Sequence, residues 1–110
     1  MTRSASVVLF LLASAPAAWS QTAASPLDDT QRLGQRLFVQ SCGICHVNVQ
    51  QRAALYGPAL SQASLGGQDD VMREVISNGT PRMPGFKHHF ERAEIDAIVA
   101  YLKTIPAPPR

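Results

Sequence analysis

The chain has 110 residues, enough for one small domain at most. Ten Lys and Arg stand against eight Asp and Glu, so the charge is close to balanced and gives no case for nucleic-acid binding. Only two cysteines are present, too few for a disulfide framework or for a zinc site built from thiolates alone.

The first twenty residues have the layout of a secretory signal peptide. Arg3 gives a positive start, VVLFLLA (7–13) is an apolar run, and APAAWSQ follows with small residues. That run is far shorter than the ~20 residues of a membrane span. Cleavage is expected after Ser20, with Ala17 as the other option, leaving no membrane span in the mature chain. A single arginine in TRSAS fits the general export route better than a twin-arginine one. The expected destination is the periplasm, an oxidising compartment.

Residues 21–26 read as a polar, disordered leader, and a domain is expected over 27–105 with a proline-rich tail at 106–110. The first helix is predicted over 27–42. Ser25 serves as N-cap, Pro26 as its first position, and Asp28 and Asp29 lie at the positive end of its dipole. Leu33 and Leu37, and Gly34 and Phe38, are four apart and share one face. YGPAL (56–60) and SLGGQDD (64–70) carry the Gly and Pro of loops. A second helix is predicted over 68–78, with Val71, Met72, Val75 and Ile76 as its apolar stripe and Asn78-Gly79 as its stop. TPRMPGF (80–86) reads as an extended loop. A third helix is predicted over 92–105, with Ile95, Ile98, Val99, Leu102 and Ile105 at helical spacing. No segment alternates as a strand does, so the fold class is all-α. The inventory is short of apolar mass for a domain of this size, and a flat apolar cofactor would fill its middle.

The chemistry concentrates in QSCGICHVNV (40–49). Zinc would need four ligands, and beyond Cys42, Cys45 and His46 only the adjacent His88 and His89 remain, without ligand spacing. A thioredoxin-like pair would want a strand before it and a helix after it, whereas here helix precedes and loop follows. A plain disulfide is permitted by the compartment. Cys-x-x-Cys-His is also the spacing of c-type haem attachment: two thiols one helical turn apart add across two vinyl groups, and the next histidine meets the iron. A second axial ligand would then be needed. Met1 leaves with the signal and Met72 lies on a core stripe, but Met83 sits between two prolines in a loop, a thioether suited to iron.

CGICH, YGPAL, ISNGTPRMPGF and EIDAIVAYLKTI, in that order, resemble the class I c-type cytochromes over residues 27–105. The resemblance implies a cytochrome c fold of three to four helices around one covalently bound haem c, attached at Cys42 and Cys45 with His46 and Met83 on the iron. It also implies that the Pro58 carbonyl holds the second ring nitrogen of His46. Leu60 would lie against the haem, and Gly34 and Phe38 would cross the last helix at Ile98 and Tyr101. The implied function is periplasmic electron transfer, as a shuttle or as the haem subunit of a larger redox system. Its partners would be other redox proteins, a donor dehydrogenase and an acceptor oxidase or reductase. A haem peroxidase or ligand sensor with a labile Met83, assisted by His88 or His89, is the enzymatic alternative. Arg52, Tyr56, Arg73 and Arg82 are candidates to reach the haem carboxylates. Arg82, Lys87 and Arg92, against the single acid Glu91, would form a positive rim beside the methionine loop, away from the acidic helix that bears Asp69, Asp70 and Glu74.

Overall fold

The computed structural model describes residues 25–47 and 56–107. The expected signal peptide, most of the leader, the last three residues of the tail and Arg52 lie outside that range. Among the described residues four α-helices follow in chain order: α1 (Asp29–Ser41), α2 (Gly43–His46), α3 (Asp69–Asn78) and α4 (Arg92–Leu102). A short 3-10 segment (Ser64–Gly67) precedes α3. The described residues form no strand, only an isolated bridge between Thr80 and Met83, in keeping with the all-α expectation. No described helix is long and apolar enough to cross a membrane.

α1 begins two residues later than expected, and Asp28 caps it instead of Ser25. The Gln31 amide donates to Asp28 Oδ1 at 2.8 Å, and the Asp28 amide donates to Gln31 Oε1 at 3.0 Å. This reciprocal box satisfies two amides at once, which a lone Ser25 could not do. α3 stops where Asn78-Gly79 predicts: Gly79 has φ 75 and its amide donates to the Val75 carbonyl at 2.8 Å. α4 starts at Arg92 as expected, with Glu94 Oε2 accepting from the Glu91 amide at 2.9 Å. It ends at Leu102, three residues early. The amides of Thr104 and Ile105 donate three residues back, to Tyr101 at 2.9 Å and Leu102 at 3.2 Å. That tightening suits a chain about to meet Pro106, because the residue before a proline is pushed out of the helical region.

The core lies where α1 crosses α4, the most extensive helix contact in the fold. A Cβ at Gly34 would fall inside the van der Waals shell of the Ala97 carbonyl, so only glycine lets the two backbones meet. One turn on, the Phe38 and Tyr101 rings pack with centroids 5.6 Å apart, tilted by 52°. Ile95, Ile98, Val99 and Leu102 of α4 are buried, with Met72 and Ile76 of α3 beside them. The α3 stripe divides: Met72 and Ile76 face the core, and Val71 is exposed. Arg73 joins α3 to α4 through Asp96, Nε to Oδ1 at 2.5 Å.

Candidate functional site

α2 is a single turn, and it sets the spacing of the motif. Cys42 ends α1 and caps α2; the amides of Cys45 and His46 both donate to its carbonyl, at 3.1 and 3.0 Å. Residues three apart on such a turn share a face, so both thiols border one cavity. No bond joins Cys42 and Cys45 in this structure. Burial, helped by the neighbouring Cys45, pushes the Cys42 thiol up to about 11.

His46 closes the turn and is held from two sides. The Gly57 amide donates to the Cys45 carbonyl at 2.9 Å, pinning the 56–60 segment to α2. His46 Nδ1 lies 2.7 Å from the Pro58 carbonyl. A carbonyl can only accept, so Nδ1 carries a proton, and in the neutral ring the free lone pair is then on Nε2. Gly57 lies flat against the ring: a Cβ there would be 2.6 Å from His46 Cε1 and 2.8 Å from Nδ1. Sequence reading missed Gly57, whose position before Pro58 looks like ordinary turn chemistry. Its contact with His46, eleven residues away, exists only in three dimensions.

Met83 comes from the opposite part of the chain. Its loop is a closed turn and not an extended segment: the Thr80 amide donates to the Met83 carbonyl at 2.8 Å and the Met83 amide to the Thr80 carbonyl at 3.1 Å. The prolines fix φ but leave the chain free to fold back between them. Beyond it, the Phe86 and Lys87 amides donate to the carbonyls of Ile76 and Ser77, at 2.9 and 3.1 Å. The methionine turn is thus tied to the end of α3.

All six candidate residues, Cys42, Cys45, His46, Pro58, Leu60 and Met83, line one cavity of about 340 Å³. Its other walls are mostly apolar: Phe38, Leu65, Met72, Val75, Ile76, Ile98 and Leu102. Met72, assigned to the core from its stripe, serves core and cavity together. Arg82 is the one Lys or Arg among the described residues of the lining, and its guanidinium carbon sits 5.1 Å from the centroid of the Tyr56 ring. Arg73 is engaged with Asp96 and Asp70 instead.

Two expectations find no support at this cavity. His88 and His89 are exposed and neither lines the cavity, so they give no support to an assisted, open iron. The three charges of the expected positive rim do not all border this cavity. The bonds that tie the post-methionine turn to α3 carry Lys87 back over that helix, where it donates to Asn78 Oδ1 at 3.0 Å. There Lys87 and Arg92 share a separate open concavity with Asp70 and Glu74, leaving Arg82 alone at the first cavity.

The donor set fits a flat apolar group held by two thiols and an oriented imidazole, and similar proteins place that fit in context. Residues 29–102 match a family described as "Cytochrome C oxidase, cbb3-type, subunit III". Dihydro-heme d1 dehydrogenase of Pseudomonas aeruginosa is 40% identical over 80 residues, covering 70% of this chain and 15% of that protein. This chain therefore spans only a small part of that relative's length. Cytochrome c6 of Synechococcus is 30% identical over 88 residues, 76% of either chain. The crystal structure of cytochrome c6 from the diatom Phaeodactylum tricornutum superposes with a TM-score of 0.51 at 25% identity, over 66% of this chain and 88% of the other.

Proposed function

Since the chain belongs to the cbb3-type subunit III family of c-type cytochromes, we propose that it moves single electrons through one covalently attached haem c, with His46 and Met83 as axial ligands. The observation that carries this reading is the convergence of Cys42, Cys45, His46 and Met83, from two distant parts of the chain, on one apolar cavity. When bound, haem supplies the chemistry, an iron that gains or loses one electron.

The chain's own groups do the rest. Cys42 and Cys45 would hold the haem edge through thioether bonds. The Pro58 carbonyl keeps the proton on His46 Nδ1 and so keeps Nε2 available and aimed. The closed Thr80–Met83 turn presents the thioether from a fixed backbone, which favours a permanent ligand over a labile one. With His46 and Met83 both given to the iron, the chain would offer no open position to a substrate, which supports carriage of electrons over catalysis. Arg82, steadied by the Tyr56 ring, is suited by charge to a haem carboxylate. Apolar walls lower the local dielectric and favour the reduced, less charged iron.

We place this activity in the periplasm, after removal of residues 1–20, with other redox proteins as donor and acceptor. The dehydrogenase among the relatives makes a dehydrogenase a reasonable donor. The test is a pyridine haemochrome assay on protein matured in the periplasm. One c-type haem per chain, with reversible one-electron reduction, is expected; a haem-free protein with a Cys42–Cys45 disulfide would overturn the reading.

A further inference from the structure

Among the described residues, Leu65 is the one non-glycine with a left-handed backbone, φ 52 and ψ 37, and it lines the cavity. A side chain with a Cβ is strained in that conformation. Gly66 and Gly67 follow with φ 69 and 71, so the bend begins one residue before the glycines that carry it without strain. Local strain of this kind persists only where the surroundings over-determine it.

Here they do. Lys103, just beyond α4, donates from Nζ to the Gly67 carbonyl at 2.8 Å and pairs with the Asp69 carboxylate at 2.9 Å. At the other end of the segment the Gln62 amide donates to the Ile105 carbonyl at 2.9 Å. Between them, the Ser61 amide donates to Ser64 Oγ at 2.9 Å. Residues 61–68 therefore form a strap tied at both ends to the chain just past α4. The side chain that it holds lies outside the core: Leu65 is 48% exposed and lines the cavity. Packing against protein alone returns little from a residue so exposed, so the strain serves its placement at the cavity.

Resting on the haem reading, we infer that Leu65 covers the solvent edge of the cofactor and raises its reduction potential, and that Lys103 is a positioning residue acting through Leu65. Oxidised haem iron bears one more positive charge than reduced iron. Water at the edge stabilises that charge, and an apolar cover withholds it.

Leu65→Asn and Leu65→Gly test the idea, because both residue types accept the left-handed region and so remove the apolar cover without adding strain. The full haem-loaded chain is used, with haem content, melting temperature and reduction potential read on each variant. The expected result is wild-type haem content, little change in melting, and a lower potential in both. Lys103→Met should shift the potential the same way by less, and Lys103→Arg should restore it. A purely structural strap would move melting and leave the potential alone. An unchanged potential in Leu65→Asn with haem in place overturns the proposal. If the Leu65 variants lose haem, Lys103→Met decides: a fall supports the proposal and no change ends it. A wild-type chain that matures without haem would sink the underlying reading instead, and the haem assay separates the two failures.

Discussion

At the crossing of α1 and α4 the chain closes on itself: glycine backbone meets the Ala97 carbonyl, ring meets ring, and Ile98 and Val99 are buried. Across the same core, the faces of Met72, Ile76, Ile98 and Leu102 that look toward α2 and the methionine turn border about 340 Å³. One side is finished by protein atoms and the other is shaped for a partner that is not protein. A chain this small buries too little apolar surface to complete both. The contrast predicts which substitutions act on folding and which on chemistry.

The comparison breaks outright if the cavity side stands alone. Cys42→Ser or Cys45→Ser should lose one thioether and most of the holoprotein, and the haem-free chain should lose most of its helix. Circular dichroism of haem-free protein with its full helical signal would mean that both sides are self-supporting.

A pair of glycines sharpens it. Gly34→Ala forces apart two backbones and should destabilise the holoprotein by roughly 3 kcal/mol, at the upper end of overpacking effects, seen as a lower melting temperature. Gly57→Ala presses instead on the His46 ring. It should tilt the imidazole and change the absorption spectrum and potential more than the melting temperature. Equal effects of both on melting and spectrum would erase the distinction.

Met83 gives a smaller effect confined to the cavity side. Met83→His should leave a folded cytochrome with a lower potential, because a thioether favours ferrous iron more than imidazole does. Should Met83→Ala change nothing while His88→Ala or His89→Ala alters spectrum and potential, the axial assignment falls.

The smallest effect is one of pH on the haem-free protein. Burial and then Cys45 push the Cys42 thiol up to about 11, above the ordinary thiol value of about 8.5. Its contribution to stability is present below the ordinary value and is lost as pH rises through 11. Any residual structure around α2 should therefore weaken over that alkaline range and be insensitive to pH below it. Cys42→Ala should remove the alkaline loss.

Much of this architecture is legible in the sequence, and the exceptions share a cause. CGICH, Asn78-Gly79 and the stripe of α4 announce themselves because spacing, turn chemistry and periodicity are local. The resemblance of YGPAL to its family's turn points to the Pro58–His46 bond. What local pattern cannot supply is a choice between competing signals. Ser25-Pro26 and Asp28-x-x-Gln31 are both helix starts, and the reciprocal box wins. Ile105 continues the α4 stripe in spacing, yet Pro106 ends the helix first and Ile105 packs against the core from a turn. Lys87 and Arg92 are close in sequence to Met83, but bonds to the end of α3 turn them toward Asp70 and Glu74. The left-handed backbone at Leu65 lies in a segment that Lys103, 38 positions later, ties at the Gly67 carbonyl, and nothing in SLGG foretells it.

The backbone approach of Gly34 to Ala97 also fixes an order of events. The two positions lie 63 residues apart, and α1 has no equal partner elsewhere in the described fold. Contacts of such long sequence separation form late, since the closure of the intervening loop must precede any gain from them. Cys42 directly follows α1, so until that crossing forms the thiol is not yet buried. A chain exported unfolded would still offer it to the cofactor, and the crossing would close behind that reaction instead of ahead of it.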